Sequence, residues 1–485
     1  MNKEMAYVLA IDFGTSGCRS AIYNEKLEML HVAIAEYPLI VLSEKEIEQD
    51  ADLWWQRALE TMEKALTEGP VPANQIQAIS ISSQGIATVP IDEDGNTLDN
   101  AISWLDGRAE EEVAMLEARY GSEALYQRTG KRLSPPYTLS KLIWFRDHRK
   151  EIYDKAWKIL LPMDFIQFKL SGKCVTDHTM AGGTMYYDIA AQKWDDGILE
   201  DNGLHKEKLS EIAWAGEVIG KILPEVADKL GLGRDVLIVN GAQDQKCAAL
   251  DAGAAQDVAA ISLGTASAIA QLSHVPVRDE QMRIPFFSYV RENVWDMEGV
   301  ISTAGSAYNW FCKEFGGGRS FNELNELAAQ VKLPNACMFY PYLAGACAPH
   351  WGDPTGCFIG LSLNTGLGHA ARAVMEGIAF CIRENLEVMA LSCGNARQIR
   401  LYGGGSKSEL WCQIIADVTG IPVVRLSSSE TALAGAAMLA FSALGVKTPD
   451  SLSVVREFTP DPETAAIYEE AYLKYERVRK ACFES

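Results

Sequence analysis

Two aspartates stand where short apolar runs break off into small and polar residues, a position from which a carboxylate can do chemistry. Asp12 follows Tyr7-Val-Leu-Ala-Ile11 and opens Asp12-Phe-Gly-Thr-Ser-Gly17. A carboxylate at such a strand tip can hold a hydrated magnesium ion, which keeps most of its waters when bound. The turn amides of Gly14 to Ser16, with the Thr15 and Ser16 hydroxyls, can meet phosphate oxygens. The same residues serve equally as a polar turn in any α/β protein. Asp244 follows the apolar run Val236-Leu-Ile-Val-Asn240, within Gly241-Ala-Gln-Asp-Gln-Lys246. Beside small residues it can approach a substrate hydroxyl and accept its proton. It also fits an ordinary helix N-cap, because Gln245 to Leu250 reads as helical. Gly403-Gly-Gly405, between a strand and a helix, allows close backbone approach and leaves helix N–H groups for a ligand, or simply makes a tight turn. Neither a G-x-x-x-x-G-K-[ST] phosphate loop nor the protein-kinase signature set occurs.

The elements that must position these residues are legible in outline. Residues 7–11 and the alternating run Cys18-Arg-Ser-Ala-Ile-Tyr23 read as a β-hairpin around a Gly-rich turn. A dinucleotide fold would instead open a helix from its glycines. From Asp52 to Glu68, Leu53, Trp54, Ala58, Met62 and Leu66 recur at helical spacing, and Gly69-Pro70 stops the helix. A buried strand follows at Ile76 to Ser82, running into Gln84-Gly85. About 250 residues after the first hairpin, Val258-Ala-Ala-Ile-Ser-Leu-Gly-Thr265 and Ala266 to Leu272 repeat strand, Gly-Thr turn and strand, which suggests two related halves. Helices are expected at about His369 to Leu391 and Ser408 to Thr419, the latter closed by Gly420 and Pro422, with a strand at Ile399 to Tyr402. The tail from Asp450 onward reads as charged and helical.

Composition bounds the rest. The 485 residues carry a net charge of −21 and are 48% apolar, which fits a globular protein large enough for two or three domains. The acidic field argues against a nucleic-acid or anionic-membrane surface, while phosphate can still be met locally by backbone amides. Eleven cysteines without a C-x-x-C pair read as reduced thiols. No signal peptide and no run of ~18 apolar residues is seen, so a cytoplasmic protein is expected. His178, His350 and His369 read as structural.

The ordered set of motifs resembles the FGGY family of carbohydrate kinases, within the actin/Hsp70/sugar-kinase superfamily, from about Val8 to Leu444. It comprises Asp12-Phe-Gly-Thr-Ser-Gly-Cys-Arg19, Trp104-Leu-Asp-Gly-Arg108, Pro136-Tyr137 to Lys141-Leu-Ile-Trp144, Leu161-Pro-Met-Asp164, Thr176-Asp177, Ser262-Leu-Gly-Thr265, Gly356-Cys-Phe-Ile-Gly-Leu361, Arg372-Ala-Val-Met-Glu-Gly-Ile-Ala379 and Gly403-Gly-Gly-Ser-Lys-Ser408. The signature from Gly356 departs at Ala370, where a larger aliphatic is usual. The resemblance implies an α/β protein of two ribonuclease H-like (actin-like ATPase) domains around a deep cleft, residues 1–250 binding sugar and 251–485 binding nucleotide. It implies ATP and Mg2+ as cofactors, a small sugar or polyol substrate and a homodimer.

Roles then carry over by position. Asp244 matches the catalytic base, and Asp12 with Asp244 the metal-facing carboxylates. Gly14, Thr15, Ser16 and Arg19 match the first phosphate loop, Gly264 and Thr265 the second. Gly305, Asn309, Gly404, Gly405 and Ser408 match nucleotide contacts. Gln84, Trp104, Arg108, Tyr137, Asp244 and Gln245 match polyol contacts. One departure bears on substrate. Xylulokinase-like members usually carry Gln-Met-His, and glycerol kinases Gln-Arg-Glu, where this chain has Gln84-Gly85-Ile86. Asp244-Gln-Lys-Cys-Ala-Ala-Leu250 and Tyr137 lean toward glycerol kinases, while the sequence from Ser134 and Gly404 to Ser408 lean toward xylulokinases. The expected activity is ATP-dependent phosphorylation of a sugar or polyol hydroxyl, a ketopentose such as xylulose first. Glycerol or another polyol or sugar acid is the alternative within the family. Outside it stand an ATPase acting on protein partners and a non-catalytic sugar sensor.

Overall fold

The computed structural model describes residues 5–427, 430–449 and 454–483. It divides into two compact units, the first comprising Met1–Asp251, Phe286–Trp295 and Glu430–Asp450, the second Ala252–Pro285, Asp296–Ser429 and Ser451–Ser485.

The first unit is built on a six-stranded sheet. Its strands are β1 (Tyr7–Phe13), β2 (Gly17–Asn24), β3 (Met29–Glu36), β4 (Ile76–Ser83), β5 (Val218–Lys221) and β6 (Leu237–Gln243), in the order β5-β6-β4-β1-β2-β3. β1, β4 and β6 run parallel, and β2, β3 and β5 are antiparallel to their neighbours. β1 is apolar from Val8 to Ile11, before Asp12, because helices cover both faces of the sheet. Helix α1 (Ala51–Glu68) packs on the β2–β3 side, with Trp54, Ala58, Met62 and Ala65 buried against Leu9, Ile11 and Phe13. Asp50 caps it by accepting from the Leu53 amide at 3.0 Å. It ends at Gly69, where a Cβ would come within 2.4 Å of the Ala65 carbonyl. Helix α2 (Asp244–Asp251) continues directly from β6. The Ala/Gly-rich helix Thr431–Ala443 returns from far along the chain to pack on α2, β1, β4 and β6.

The second unit has its own sheet, formed by β7 (Val258–Ser262), β8 (Ser267–Ser273), β9 (Trp295–Ile301), β10 (Gln398–Tyr402), β11 (Val423–Leu426) and β12 (Val454–Phe458). Within this unit the order is β9-β8-β7-β10-β11-β12, with β7, β10 and β11 parallel and β8 and β12 antiparallel to their partners. Strand for strand this is the arrangement of the first sheet, with β7, β8, β9, β10, β11 and β12 in the places of β1, β2, β3, β4, β6 and β5. Helix α3 (Gly305–Phe315) follows β9, and α4 (Leu367–Cys393) buries Val374, Ile378, Ile382 and Met389. Helix α5 (Glu409–Thr419) is capped by the Ser408 hydroxyl, which accepts from the Trp411 amide at 3.3 Å, and ends at Gly420 with φ +69°. Helix α6 (Pro462–Phe483) is held on α4 by the buried Arg479–Glu384 ion pair at 2.9 Å.

The tail departs from the sequence expectation. Residues 450–453 lie outside the described residues, Val454–Phe458 is an exposed edge strand, and the helix starts only at Pro462. The charged tail reads as helical from Asp450, but the β-branched pair Val454-Val455 fits a sheet edge. No helix among the described residues is long and apolar enough to cross a membrane.

Candidate active site

In the first unit the parallel register brings three strand tips side by side: Asp12 faces Ser82, Phe13 faces Ser83, and Ser83 faces Gln243. β1 and β6 flank β4, so Ala242 lies two strand spacings from Asp12, roughly 10 Å, and Asp244 follows two residues further along. Asp12 is 8% exposed. Its Oδ1 accepts from the Ser82 hydroxyl at 2.8 Å and its Oδ2 from Arg19 at 3.2 Å. Burial pushes its carboxyl above the usual range, and Ser82 and Arg19 pull the other way. Arg19 also stands 3.8 Å from Glu430.

The hairpin turn after Asp12 is braced from outside. The Tyr37 hydroxyl donates to the Gly14 and Gly17 carbonyls at 2.5 and 3.1 Å, and Gln49 donates to the Thr15 carbonyl at 2.7 Å. These bonds occupy carbonyls of the turn and none of its amides. The Trp104 indole donates to the Thr15 hydroxyl at 2.9 Å and is itself 39% exposed. Sequence reasoning placed Trp104 and Thr15 in different roles, and the fold joins them.

Asp244 sits at the first position of α2. Its Oδ1 accepts from the Gln243 side chain at 2.6 Å and from the Gln245 amide at 2.7 Å. Three residues earlier, inside β6, Gly241 lets the strand approach β4 closely, since a Cβ there would meet the Ile81 carbonyl at 1.7 Å. The Gln243 amide is tied to Thr179 Oγ1 at 2.8 Å, and Thr179 in turn to Asp177 at 2.9 Å. Asp177 is fully buried, which lifts its carboxyl to about 7. Thr176-Asp177 therefore supports the tip of β6.

Gln84 is 3% exposed, and neither its amide nitrogen nor its oxygen has a hydrogen-bond partner among the described residues. A buried amide left so costs free energy unless a ligand completes it. Tyr137 precedes the helix Thr138–His148 and is half-buried. Arg108 is engaged differently from a free sugar contact. Its guanidinium is 2.8 Å from Asp106 and 3.0 Å from Glu48 and lies over the Trp144 ring at 4.8 Å. Asp106 also accepts from the Ile47 amide at 2.6 Å. Arg108 thus fixes the loop that carries Trp104. Sequence reasoning missed Ser82, Gln49 and Glu430; only the alternation of β4 pointed to Ser82.

In the second unit the Gly264-Thr265 turn joins β7 to β8. The Gly305 amide donates to the Gly264 carbonyl at 2.8 Å, and the Ala304 and Ser306 amides to the Thr265 carbonyl at 3.0 and 3.1 Å. A Cβ at Gly305 would sit 2.4 Å from the Gly264 carbonyl, so only glycine lets α3 start against the turn. Asn309 is exposed one turn into that helix. Gly403 has φ +90°, and the Gly405 amide donates to the Leu263 carbonyl at 2.8 Å. Gly404 is open, with nothing within 4 Å of a would-be Cβ. The Ser408 hydroxyl caps α5 and also accepts from Asn325 at 3.2 Å.

Among the described residues, no group of three or more His, Cys, Asp or Glu side chains could cage a metal ion. Magnesium needs no cage, since one or two carboxylates plus phosphate oxygens and waters hold it. A strand-tip Asp12 already gathering donors fits that use.

Two sheets of one topology, each turning its first hairpin with Gly-Thr, and carboxylates at the tips of the two strands that flank β4 in the first, define a phosphotransferase of the actin-like ATPase fold. Comparison makes the class specific. Residues 7–251 match the N-terminal domain of the FGGY family of carbohydrate kinases, and residues 259–444 its C-terminal domain. The chain belongs to that family and is a carbohydrate kinase, and kinases of this family use ATP as phosphate donor. It is 29% identical to the xylulose kinase of Bacillus subtilis, over 90% of this chain and 88% of that one. It is 28% identical to the gluconokinase of the same organism, over 91% and 88%. The ligand-bound xylulose kinase structure from Lactobacillus acidophilus superposes with a TM-score of 0.93 at 27% identity, covering 98% of each chain.

Proposed function

We propose that the enzyme transfers the γ-phosphoryl group of ATP to a hydroxyl of a ketose, a ketopentose such as xylulose first. The observation that carries this is Asp244, oriented at a strand tip by Gln243 and Gln245 on the same sheet edge as the unsatisfied Gln84 amide. The substrate hydroxyl oxygen bonds to the γ-phosphorus while the bond to the β–γ bridging oxygen breaks. ADP leaves, and the hydroxyl proton passes to the Asp244 carboxylate. Such transfer is mostly positioning and electrostatics. Gln84, Trp104, Tyr137 and Gln245 orient the sugar, and Arg108 holds the Trp104 loop. The turn amides of Gly14 to Ser16 with Arg19, and Gly264 with Thr265, take phosphate oxygens. Gly305, Asn309, Gly404, Gly405 and Ser408 take the rest of the nucleotide. Asp12 and Asp244 would hold Mg2+, which supplies neutralisation of the phosphate charge when bound. In this reading residues 1–250 serve the sugar and 251–485 the nucleotide, in a cytoplasmic homodimer.

Phosphorylation of a sugar acid is the second reading, favoured by the gluconokinase relatives and by Ile86 standing where xylulokinase-like members carry His. ADP release with xylulose, ribulose, glycerol, erythritol, gluconate and their L forms decides between them. Stimulation by xylulose well above the rest is expected. Stimulation by gluconate alone selects the second reading, and release without any sugar, or none at all, refutes both.

A further inference from the structure

Six non-glycine residues among those described have positive φ, and Ile86 at +54° is the single β-branched one. That conformation is a genuine outlier for such a side chain and persists only where its surroundings over-determine it. The surroundings do so here. The Thr138 hydroxyl donates to the Ile86 carbonyl at 3.1 Å. Gly183 leaves the room Ile86 occupies, since a Cβ there would stand 2.7 Å from Ile86 Cγ2. The turn is tied to the candidate site on its other side. Gly85 lies 3.6 Å from the Gln243 side chain, measured to its would-be Cβ, and Gln243 holds Asp244. The Gln84 backbone N–H donates to the Phe13 carbonyl at 2.7 Å, fixing the start of the turn to β1. Ile86 remains partly exposed. Two residues along the turn from the buried polar Gln84, the fold thus holds an aliphatic side chain in place at Ile86.

Resting on the kinase reading above, we propose that Ile86 is a specificity-determining residue that narrows the acceptor to a deoxyketose. This is a ketose with methyl or methylene, in place of a hydroxymethyl or hydroxyl-bearing carbon, at the position meeting Ile86. A hydroxyl there loses its water and gains no partner from an aliphatic wall, whereas a methyl group loses nothing. Apolar walls discriminate only modestly against a hydroxyl, by about 10- to 100-fold, so the preference is graded.

The test measures kcat/KM by ADP release for matched pairs: xylulose and 1-deoxyxylulose, and a ketohexose and its 6-deoxy form. The wild type is expected to favour the deoxy member of one pair by about tenfold or more. I86N, whose new side chain tolerates positive φ, should move that ratio toward the parent sugar by at least about tenfold. I86G, which keeps the turn and removes the wall, should bring the pair near parity. Equal use of both members by the wild type, or a ratio unchanged in I86N and I86G, overturns the proposal while the kinase reading stands. If no ketose stimulates ADP release, the kinase reading fails and takes the proposal with it.

Discussion

The two Gly-Thr hairpins occupy the same place in the same sheet topology, yet they are finished with different chemistry. The first opens with Asp12 and closes with Arg19, and side chains from Ser82, Tyr37, Gln49 and Trp104 converge on it. The second carries no charge. Its turn is fastened by backbone bonds from Ala304, Gly305 and Ser306, and a helix N-terminus starts against it. One scaffold thus yields a charged, side-chain half-site and a neutral, amide half-site. The first suits a metal ion and a proton; the second suits phosphate oxygens, which helix N-termini and turn amides favour.

Four substitutions test that contrast. Asp244→Asn should cost the most, about a thousandfold or more in kcat, while calorimetric affinity for ATP stays within about threefold. An active variant would remove the charged half-site from the chemistry. Asp12→Asn should lower kcat by about tenfold to a hundredfold and raise the Mg2+ needed for half-maximal rate; an unchanged metal requirement would break the assignment of Asp12.

The neutral half-site is tested by a pair. Gly305→Ala drives a methyl group into the Gly264 carbonyl and should raise KM for ATP several-fold, with a stability loss of about 1–3 kcal/mol on thermal melting. Gly264→Ala, whose Cβ would find its nearest neighbour at 3.5 Å, should do much less. Equal effects would mean that close approach is not what the second turn requires.

The last effect leaves activity untouched and falls on stability alone. Asp251, at the end of α2, has both carboxylate oxygens buried without hydrogen bonds, and burial lifts its pKa to about 8 from 3.8. The folded state therefore holds this proton more tightly than the unfolded state. Its stability contribution is intact below about pH 4 and erodes as pH rises toward 8, at roughly 1 kcal/mol per pH unit. Asp251→Asn should flatten the melting temperature across that window and leave kcat alone.

Much of this was legible in the sequence where local pattern and burial agree. The first hairpin, the helix after Asp50 and the strands ending at Ser83 and Tyr402 follow from apolar runs cut by Gly, Pro or Asp. Both halves declared themselves through the repeated turn. What the sequence concealed was pairing across distance. Nothing local tells Arg108 to bind Glu48, or Ser82 to bind Asp12, because each partner is chosen by strand register. The φ of Ile86 was equally hidden, since it is imposed by Thr138 and by the space at Gly183 rather than by its own propensity. The edge strand Val454–Phe458 misled for the opposite reason: four of its five residues are exposed, so no burial pattern marked it.

The returning helix Thr431–Ala443 has a consequence for how the protein is made. It presses so closely on α2 that a Cβ at Gly435 would lie 2.0 Å from the Cys247 carbonyl, and it covers one face of β1, β4 and β6. A ribosome that has finished the first 251 residues has therefore released a sheet with one apolar face bare. That face waits through nearly two hundred further residues, a few tens of seconds at usual synthesis rates, before its cover emerges. The first half to be translated is thus among the last to be completed, and the nascent chain is most open to chaperones and to aggregation while the second unit is being made.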